Sequence, residues 1–241
     1  MPARRVIVAL VRHGDYHQPS GVPSAQLPHP LTDKGVEQAE ALAGRLLTEC
    51  EALGVELAPV LDASTLRRAS QTAAIAAAKL SEALDRPLTT AAFAELGERS
   101  VGAAANLHVD RIAEIIAADP RHPPLPIGWK AHPRVRLPFV GAESLMMAGA
   151  RVAAHIEGRA LQLGHDPTAP DAALKVFVSH GGALRHAAVC MGALDLAEVP
   201  DLSMHHCGYV LLEHADGPGH PGPWRKVGGD WKIRPAAQAV D

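Results

Sequence analysis

The chain has 241 residues, 47% hydrophobic and only 3% aromatic, with a formal net charge of −3. That balance allows a sizeable core, favours alanine-lined helices packed closely on a sheet, and excludes general nucleic-acid binding, which needs a basic footprint. The three cysteines (Cys50, Cys190, Cys207) form no C-x-x-C pair and read as buried or idle thiols of a reducing compartment.

Residues 6–11 form an unbroken apolar run, the pattern of a strand buried on both faces. Arg4 and Arg5 precede it and Arg12 ends it, so it is too short for a secretory h-region. No stretch reaches transmembrane length. The expectation is a soluble, cytoplasmic protein without a membrane partner.

Arg12-His13-Gly14 leaves this strand with a cation and a nucleophile at the sheet edge. Gly14 is expected to permit a sharp turn and close approach of a ligand. Residues 15–30, rich in Pro, Ser, Gly and His, read as a surface loop beside the site. Thr32 is placed to cap a helix, with Leu31 and Val36 spaced as a hydrophobic staple. Val36, Ala39, Ala43, Leu46, Leu47 and Cys50 make its apolar stripe.

Residues 58–63 read as a second strand, closed by Ser64, which is placed to cap the next helix. That helix carries Leu66, Ala69, Ala73, Ala77 and Leu80 on one face. A short strand at 88–90, an irregular segment at 95–106 and a helix at 109–118 follow, the helix ended by Pro120. Residues 120–141 hold six prolines and only positive charges (Arg121, Lys130, Arg134, Arg136). They read as a solvated insertion, with a basic rim over the site as the alternative. A helix at 143–163, a strand at 174–179, a helix at 183–191 and a hairpin pairing 207–213 with 224–227 complete the chain. The tail after Pro235 reads as loose.

Alternating strands and helices predict an α/β sheet with helices on both faces, a three-layer α/β/α sandwich with a mostly parallel sheet. Residues 1–241 read as one domain carrying the 120–141 insertion. Ligands bind at the carboxyl ends of such strands. There the pattern places His13, His180, Arg12 and the Arg67-Arg68 pair. Two imidazoles among guanidiniums suit a phosphate: guanidinium pairs with phosphate geometry, and neutral imidazole is a nucleophile. Position in the first helical turn favours Arg67 as an anion ligand.

These residues resemble the histidine phosphatase superfamily, the group that includes cofactor-dependent phosphoglycerate mutase. Arg12-His13-Gly14 matches its signature after strand one. Residues 31–39 (Leu-Thr-Asp-Lys-Gly-Val-Glu-Gln-Ala) resemble its Leu-Thr-x-x-Gly-x-x-Gln-Ala helix start. Residues 64–73 resemble its Ser-x-Leu-x-Arg-Ala-x-Gln-Thr-Ala segment, whose arginine aligns with Arg68. The pair Arg67 and Arg68 therefore stays open, one of the two being expected to reach the phosphate. Leu96-Gly97-Glu98-Arg99 resembles the segment holding the family's acid, Gly141-Ala142-Glu143-Ser144-Leu145 its Gly-Glu-Ser-Leu motif with one residue inserted, and Ser179-His180-Gly181-Gly182 its second-histidine motif.

The resemblance implies a phosphoglycerate mutase-like fold and a phosphohistidine mechanism. His13 attacks phosphorus. Arg12, Arg67 or Arg68, and His180 hold the phosphoryl oxygens. Glu98 protonates the leaving alcohol and then serves as base for water. No metal and no cofactor is required. The spacings His13-x-x-x-His17 and His205-His206-Cys207 are not read as metal sites, and Arg185 reads as a helix-surface charge.

Family mutases carry an Asn several residues after the histidine, where this chain has Gln18-Pro19. They also continue the acid segment with an aromatic residue and a lysine, where this chain has Ser100-Val101 and Ala103-Ala104-Ala105-Asn106. A phosphatase is therefore expected over a mutase-type phosphotransferase. The reading from a different class is a non-catalytic module that binds phospho-ligands. A phosphorylated small molecule is the default partner. The alternative is a phosphoprotein, because residues 12–17 resemble the opening of the mitochondrial Ser/Thr-phosphatase branch.

Overall fold

The computed structural model describes residues 4–23, 26–219 and 222–235; the tail after Pro235 lies outside them. In chain order the elements are β1 (Arg5–Arg12), α1 (Asp33–Leu53), β2 (Glu56–Leu57), β3 (Val60–Ser64), α2 (Arg67–Leu84), β4 (Thr89–Phe93), α3 (Val109–Ala117), α4 (Leu145–His165), β5 (Ala172–Ser179), α5 (Gly181–Cys190), β6 (Leu202–Ser203), β7 (Tyr209–His214), β8 (Trp224–Gly229) and β9 (Lys232–Ile233). The main sheet runs β4-β3-β5-β1-β7-β8, with β2 paired to β5. β4, β3, β5 and β1 are parallel; β7 and β8 add an antiparallel edge.

The apolar run of β1 is buried because both faces of the sheet are covered. Ile7, Ala9 and Val11 pack with Leu42 and Leu46 of α1 and Ala69, Ala73 and Leu80 of α2. Val6, Val8 and Leu10 pack with Val152 and Ile156 of α4 and Leu184 of α5. The small alanine face of α2 lets that helix sit close on the strands. Three layers, helix, sheet and helix, follow from this alternation along single strands. No described helix is long and apolar enough to cross a membrane.

Thr32 caps α1 as the sequence predicts, its Oγ1 accepting from Gly35 N at 3.1 Å. The staple does not form: Leu31 packs with Tyr16 and Leu27, and Val36 points to solvent. Gly14 has a packing reason to be a glycine. A Cβ there would lie 2.7 Å from the carbonyl oxygen of Gly35, so it is the start of α1 that crowds it.

Ser64 does not cap α2, whose N-cap position is Leu66 with no side-chain bond. Its Oγ accepts from Leu66 N at 3.2 Å, just before that helix, and also meets the end of β5, 2.9 Å from His180 Nε2. α5 begins at Gly181, two residues before its predicted start, because Glu98 accepts hydrogen bonds from the amides of Gly182 and Ala183. Residues 120–141 form no helix or strand, as expected, and most of them are exposed, but the segment is anchored at two points. Trp129 and Leu137 are buried with Val101, Ile112 and Ile116 in a separate small core. The final hairpin starts at Tyr209 rather than 207, since Cys207 sits in a turn with φ 52°.

Candidate active site

Parallel pairing brings three strand ends to one edge. Arg12 is in register with Ser179, and Ala63 with Val178. The residues that follow or close these strands, His13, Ser64 and His180, therefore meet. The ring centroids of His13 and His180 are 5.0 Å apart.

Arg68 lies between them, fully buried. Its Nε donates to His13 Nε2 at 3.1 Å, and its Nη2 is 3.0 Å from His180 Nδ1. A guanidinium only donates, so both ring nitrogens accept. The opposite nitrogens then carry the protons: His13 Nδ1 toward the carbonyl of Gly14 at 2.8 Å, and His180 Nε2 toward Ser64 Oγ at 2.9 Å. The tautomers are thus set by the neighbours. Burial, then the charges of Arg68 and Arg12, hold the His13 pKa well below the ordinary histidine value. Burial and Arg68 do the same to His180. Both rings are neutral at pH 7, and His13 presents a lone pair at Nε2.

Arg67 is exposed on α2, whereas Arg68 is fully buried against both histidines. Successive helical residues project about 100° apart, so a helix that turns Arg68 inward turns Arg67 out. The first-turn position that favoured Arg67 is outweighed by the rotation that α2's buried alanines impose. Arg12 lines the cleft, its Nη1 anchored 2.6 Å from the carbonyl of Met204. Glu98 lines it too, its carboxylate held by the amides of Arg99, Gly182 and Ala183 at 2.9–3.2 Å. The site thus brings together His13, His180, Arg12, Arg68 and Glu98, and leaves out Arg67.

Several neighbours were not singled out as site residues. Tyr16 lies edge-on to His13, with the Arg68 guanidinium 4.7 Å from its ring centre. The His206 ring is 5.7 Å from that of His13, and its Nδ1 is 3.3 Å from Asp15 Oδ1. Burial, then Arg12, lowers the His206 pKa to about 4. The acid loop is braced from behind: Arg151 binds Glu143 at 2.7 Å and the carbonyls of Glu95 and Gly97 at 2.6 and 3.2 Å. Arg185 is not a surface charge. It is half-buried in the cleft wall, with its Nε 3.0 Å from the carbonyl of Gly181, and it also binds the carbonyl of Leu202. Tyr16 has a signal in its closeness to His13 and Glu143 in the Gly-Glu-Ser-Leu-like motif, whereas Arg151 has none.

The cleft over the cluster measures about 680 Å³ and extends under the 120–141 segment, which contributes Trp129 and Lys130 to its wall. Cations therefore outnumber acids around it, an arrangement suited to an anionic ligand.

A family model described as the histidine phosphatase superfamily (branch 1) matches residues 8–224. Solved structures share the fold. A protein described as mycobacterial hydrolase 2 is 24% identical, with a TM-score of 0.65 over 99% of this chain and 96% of that one. Mycobacterial glucosyl-3-phosphoglycerate phosphatase, solved with VO3, is 25% identical, with a TM-score of 0.62 over 93% and 98%. The α-ribazole phosphatase of Shigella flexneri is 18% identical, with a TM-score of 0.60 over 97% of each. No curated protein sequence matches.

Proposed function

The chain belongs to the histidine phosphatase superfamily (branch 1), and from that premise we propose that it is a phosphomonoester hydrolase acting through a phosphohistidine at His13. The observation that carries this reading is the placement of Arg68 between the two imidazoles. In the resting site its donors occupy His13 Nε2 and His180 Nδ1. An incoming phosphate offers those donors better, charged acceptors. Drawing them off leaves the His13 lone pair facing phosphorus. Its neutral ring, kept so by burial and nearby cations, is a competent nucleophile.

In the first step His13 Nε2 forms a bond to phosphorus as the ester oxygen leaves with the P–O electron pair. Arg12 and Arg68 meet the equatorial oxygens, where negative charge spreads in the transition state, and His180 joins them by turning toward the ligand the Nε2–H that Ser64 holds in the resting site. Glu98, protonated for this step, gives its proton to the departing alkoxide. In the second step a water oxygen attacks phosphorus, its proton passes to the Glu98 carboxylate, and the P–N bond breaks. Inorganic phosphate is released and His13 is restored.

Two of the similar structures are named as phosphatases of small phosphorylated molecules, which supports a small phosphate ester as substrate. A cytoplasmic location and the absence of any required metal or cofactor belong to the same reading. Release of inorganic phosphate from p-nitrophenyl phosphate by the purified chain, in the presence of a chelator, tests it. Loss of that release in His13→Ala is expected. Saturable binding of phosphate esters without release would instead indicate a binding module.

A further inference from the structure

Two polar nitrogens of cleft-lining residues are buried with no hydrogen-bond partner among the described residues, Arg99 Nη1 and His186 Nε2. Arg99 is 9% exposed and His186 1%. Groups buried this way are costly to leave unsatisfied, and most buried polar atoms in folded proteins are not. Neither residue is used by the chemistry at His13.

The two nitrogens have opposite character. A guanidinium nitrogen can only donate. His186 Nδ1 lies 2.8 Å from the carbonyl oxygen of Gly182, one turn back on α5. A carbonyl can only accept, so Nδ1 carries the proton and Nε2 keeps a bare lone pair. Burial, the largest influence, lowers the His186 pKa despite the opposing pull of the Gly182 bond. The ring is therefore neutral, and Nε2 is an acceptor. Glu98, the residue before Arg99, accepts from the amides of Gly182 and Ala183, and His186 follows one turn later on α5, so both side chains border the same side of the cleft. Arg99 is also held in place, lying 5.8 Å from the ring centre of Trp129.

This part of the wall thus offers one donor and one acceptor. An alcohol hydroxyl satisfies both at once, accepting from Arg99 and donating to His186. A carboxylate or second phosphate would suit Arg99 but set its own lone pairs against that of His186. We propose that, given the phosphatase reading above, the leaving alcohol is a polyol or sugar, and that Arg99 and His186 select it by binding one of its free hydroxyls. Side chains of the wall must part slightly to admit that hydroxyl, and its two hydrogen bonds offset the cost.

Matched esters test this. Glycerol 1-phosphate is compared with propyl phosphate, and glucose 6-phosphate with cyclohexylmethyl phosphate. In at least one pair the hydroxylated ester is expected to show a kcat/KM about tenfold or more higher, because a site built to bond a hydroxyl rejects the analogue lacking it. In His186→Phe that ratio should collapse toward one. In His186→Gln, whose amide oxygen restores an acceptor, part of it should return. Arg99→Met should also reduce the ratio, so the idea survives a failure of either variant to fold. Ratios below about threefold in both pairs for the parent enzyme, or an unchanged ratio in folded His186→Phe, overturn it. If p-nitrophenyl phosphate and all four esters yield no phosphate, the phosphatase reading fails instead. The same preference is then read by calorimetric binding of the four esters, with the same threefold threshold.

Discussion

Two buried charged clusters sit on the same two strands and are built in opposite ways. In the first, Asp62 of β3 meets two cations and an imidazole: Lys175 of β5, Arg159 at 2.7 Å and His155 at 3.3 Å, the last two from α4. In the second, two residues further along β3, Ser64 meets His180 at the end of β5, and Arg68 bonds two neutral imidazoles and the carbonyl of Leu27. The first cluster is closed only in the electrostatic sense: its carboxylate is paired within the protein, although Arg159 and Lys175 border a small surface pocket. Burial alone would raise the Asp62 pKa, but the hydrogen bonds of His155 and Arg159 and the charge of Lys175 outweigh it and hold it at about 2. The second reaches the cleft through His13, and its acceptors are groups a phosphate can displace. Burial of charge by itself therefore says little about function. What separates a brace from a site is whether the protein supplies the counter-charge or leaves that to a ligand.

Breaking each cluster at its centre should separate stability from activity. Arg68→Ala is expected to lower kcat/KM by ~10³-fold, since it removes several donors to the charge that grows in the transition state. Its melting temperature should hold or rise, because a costly buried cation has been removed. Asp62→Asn should do the reverse. Leaving Lys175 buried without its carboxylate costs about 3–5 kcal/mol, read from urea melts, while turnover per folded molecule changes little. The two effects falling together in either variant would erase the distinction.

Glu98→Gln sharpens the picture of the open cluster. General acid catalysis is worth ~10²–10⁴-fold when the leaving alkoxide is poor. An alkyl phosphate should therefore be turned over ~10²-fold more slowly. p-Nitrophenyl phosphate should still give a fast burst of nitrophenol, followed by slow turnover as water lacks its base. Glu95→Gln, on the exposed side of the same loop, is the control; a burst there and not in Glu98→Gln would move the acid to Glu95.

A smaller loss is expected from Arg151→Ala. This residue acts through Glu98 by bracing the 95–98 backbone. A displacement of the acid should cost about tenfold in kcat with KM little changed, and alkyl esters should suffer more than p-nitrophenyl phosphate. Arg67→Ala should be the mildest, within about 0.5 kcal/mol in stability and close to the parent in rate.

The pH responses of the two clusters also differ. His13 and His180 have depressed pKa values. The folded protein then binds fewer protons than the unfolded chain below pH 6.5, so their contribution to stability is full above 6.5 and declines as pH falls. Activity should persist below pH 6.5 for the same reason. The Asp62 contribution is full above the ordinary aspartate value of 3.8 and is lost as pH falls toward 2. Asp62→Asn should flatten the stability curve in that acid window and leave the 6.5 region unchanged.

Much of this was legible in the sequence because the motifs are contiguous and each follows an apolar run. Strand 6–11 announces Arg12-His13-Gly14, and strand 174–179 announces His180, so parallel pairing suffices to bring them together. The choice between Arg67 and Arg68 was not legible from the helix start, because it depends on how α2 is rotated against the sheet. A local reading of Ser64 finds only half its role: its Oγ does bond Leu66 N at the helix start, but its other partner, His180, is 116 residues away. His206 was dismissed because an extended 205–207 would splay its side chains, whereas Cys207 turns at positive φ. The role of 120–141 hinged on Trp129 and Leu137, apolar residues whose partners in α3 carry no local signal.

Everything said of the open cluster turns on a phosphorus–nitrogen bond at His13 Nε2. Enzyme mixed with substrate for milliseconds, quenched in alkali to preserve that acid-labile bond, and digested for mass spectrometry tests it directly. A phosphoryl group on the peptide containing His13, absent in His13→Ala, is the expected result. A phosphoryl group on His180, His206 or any other residue, in enzyme that is releasing phosphate, would contradict it.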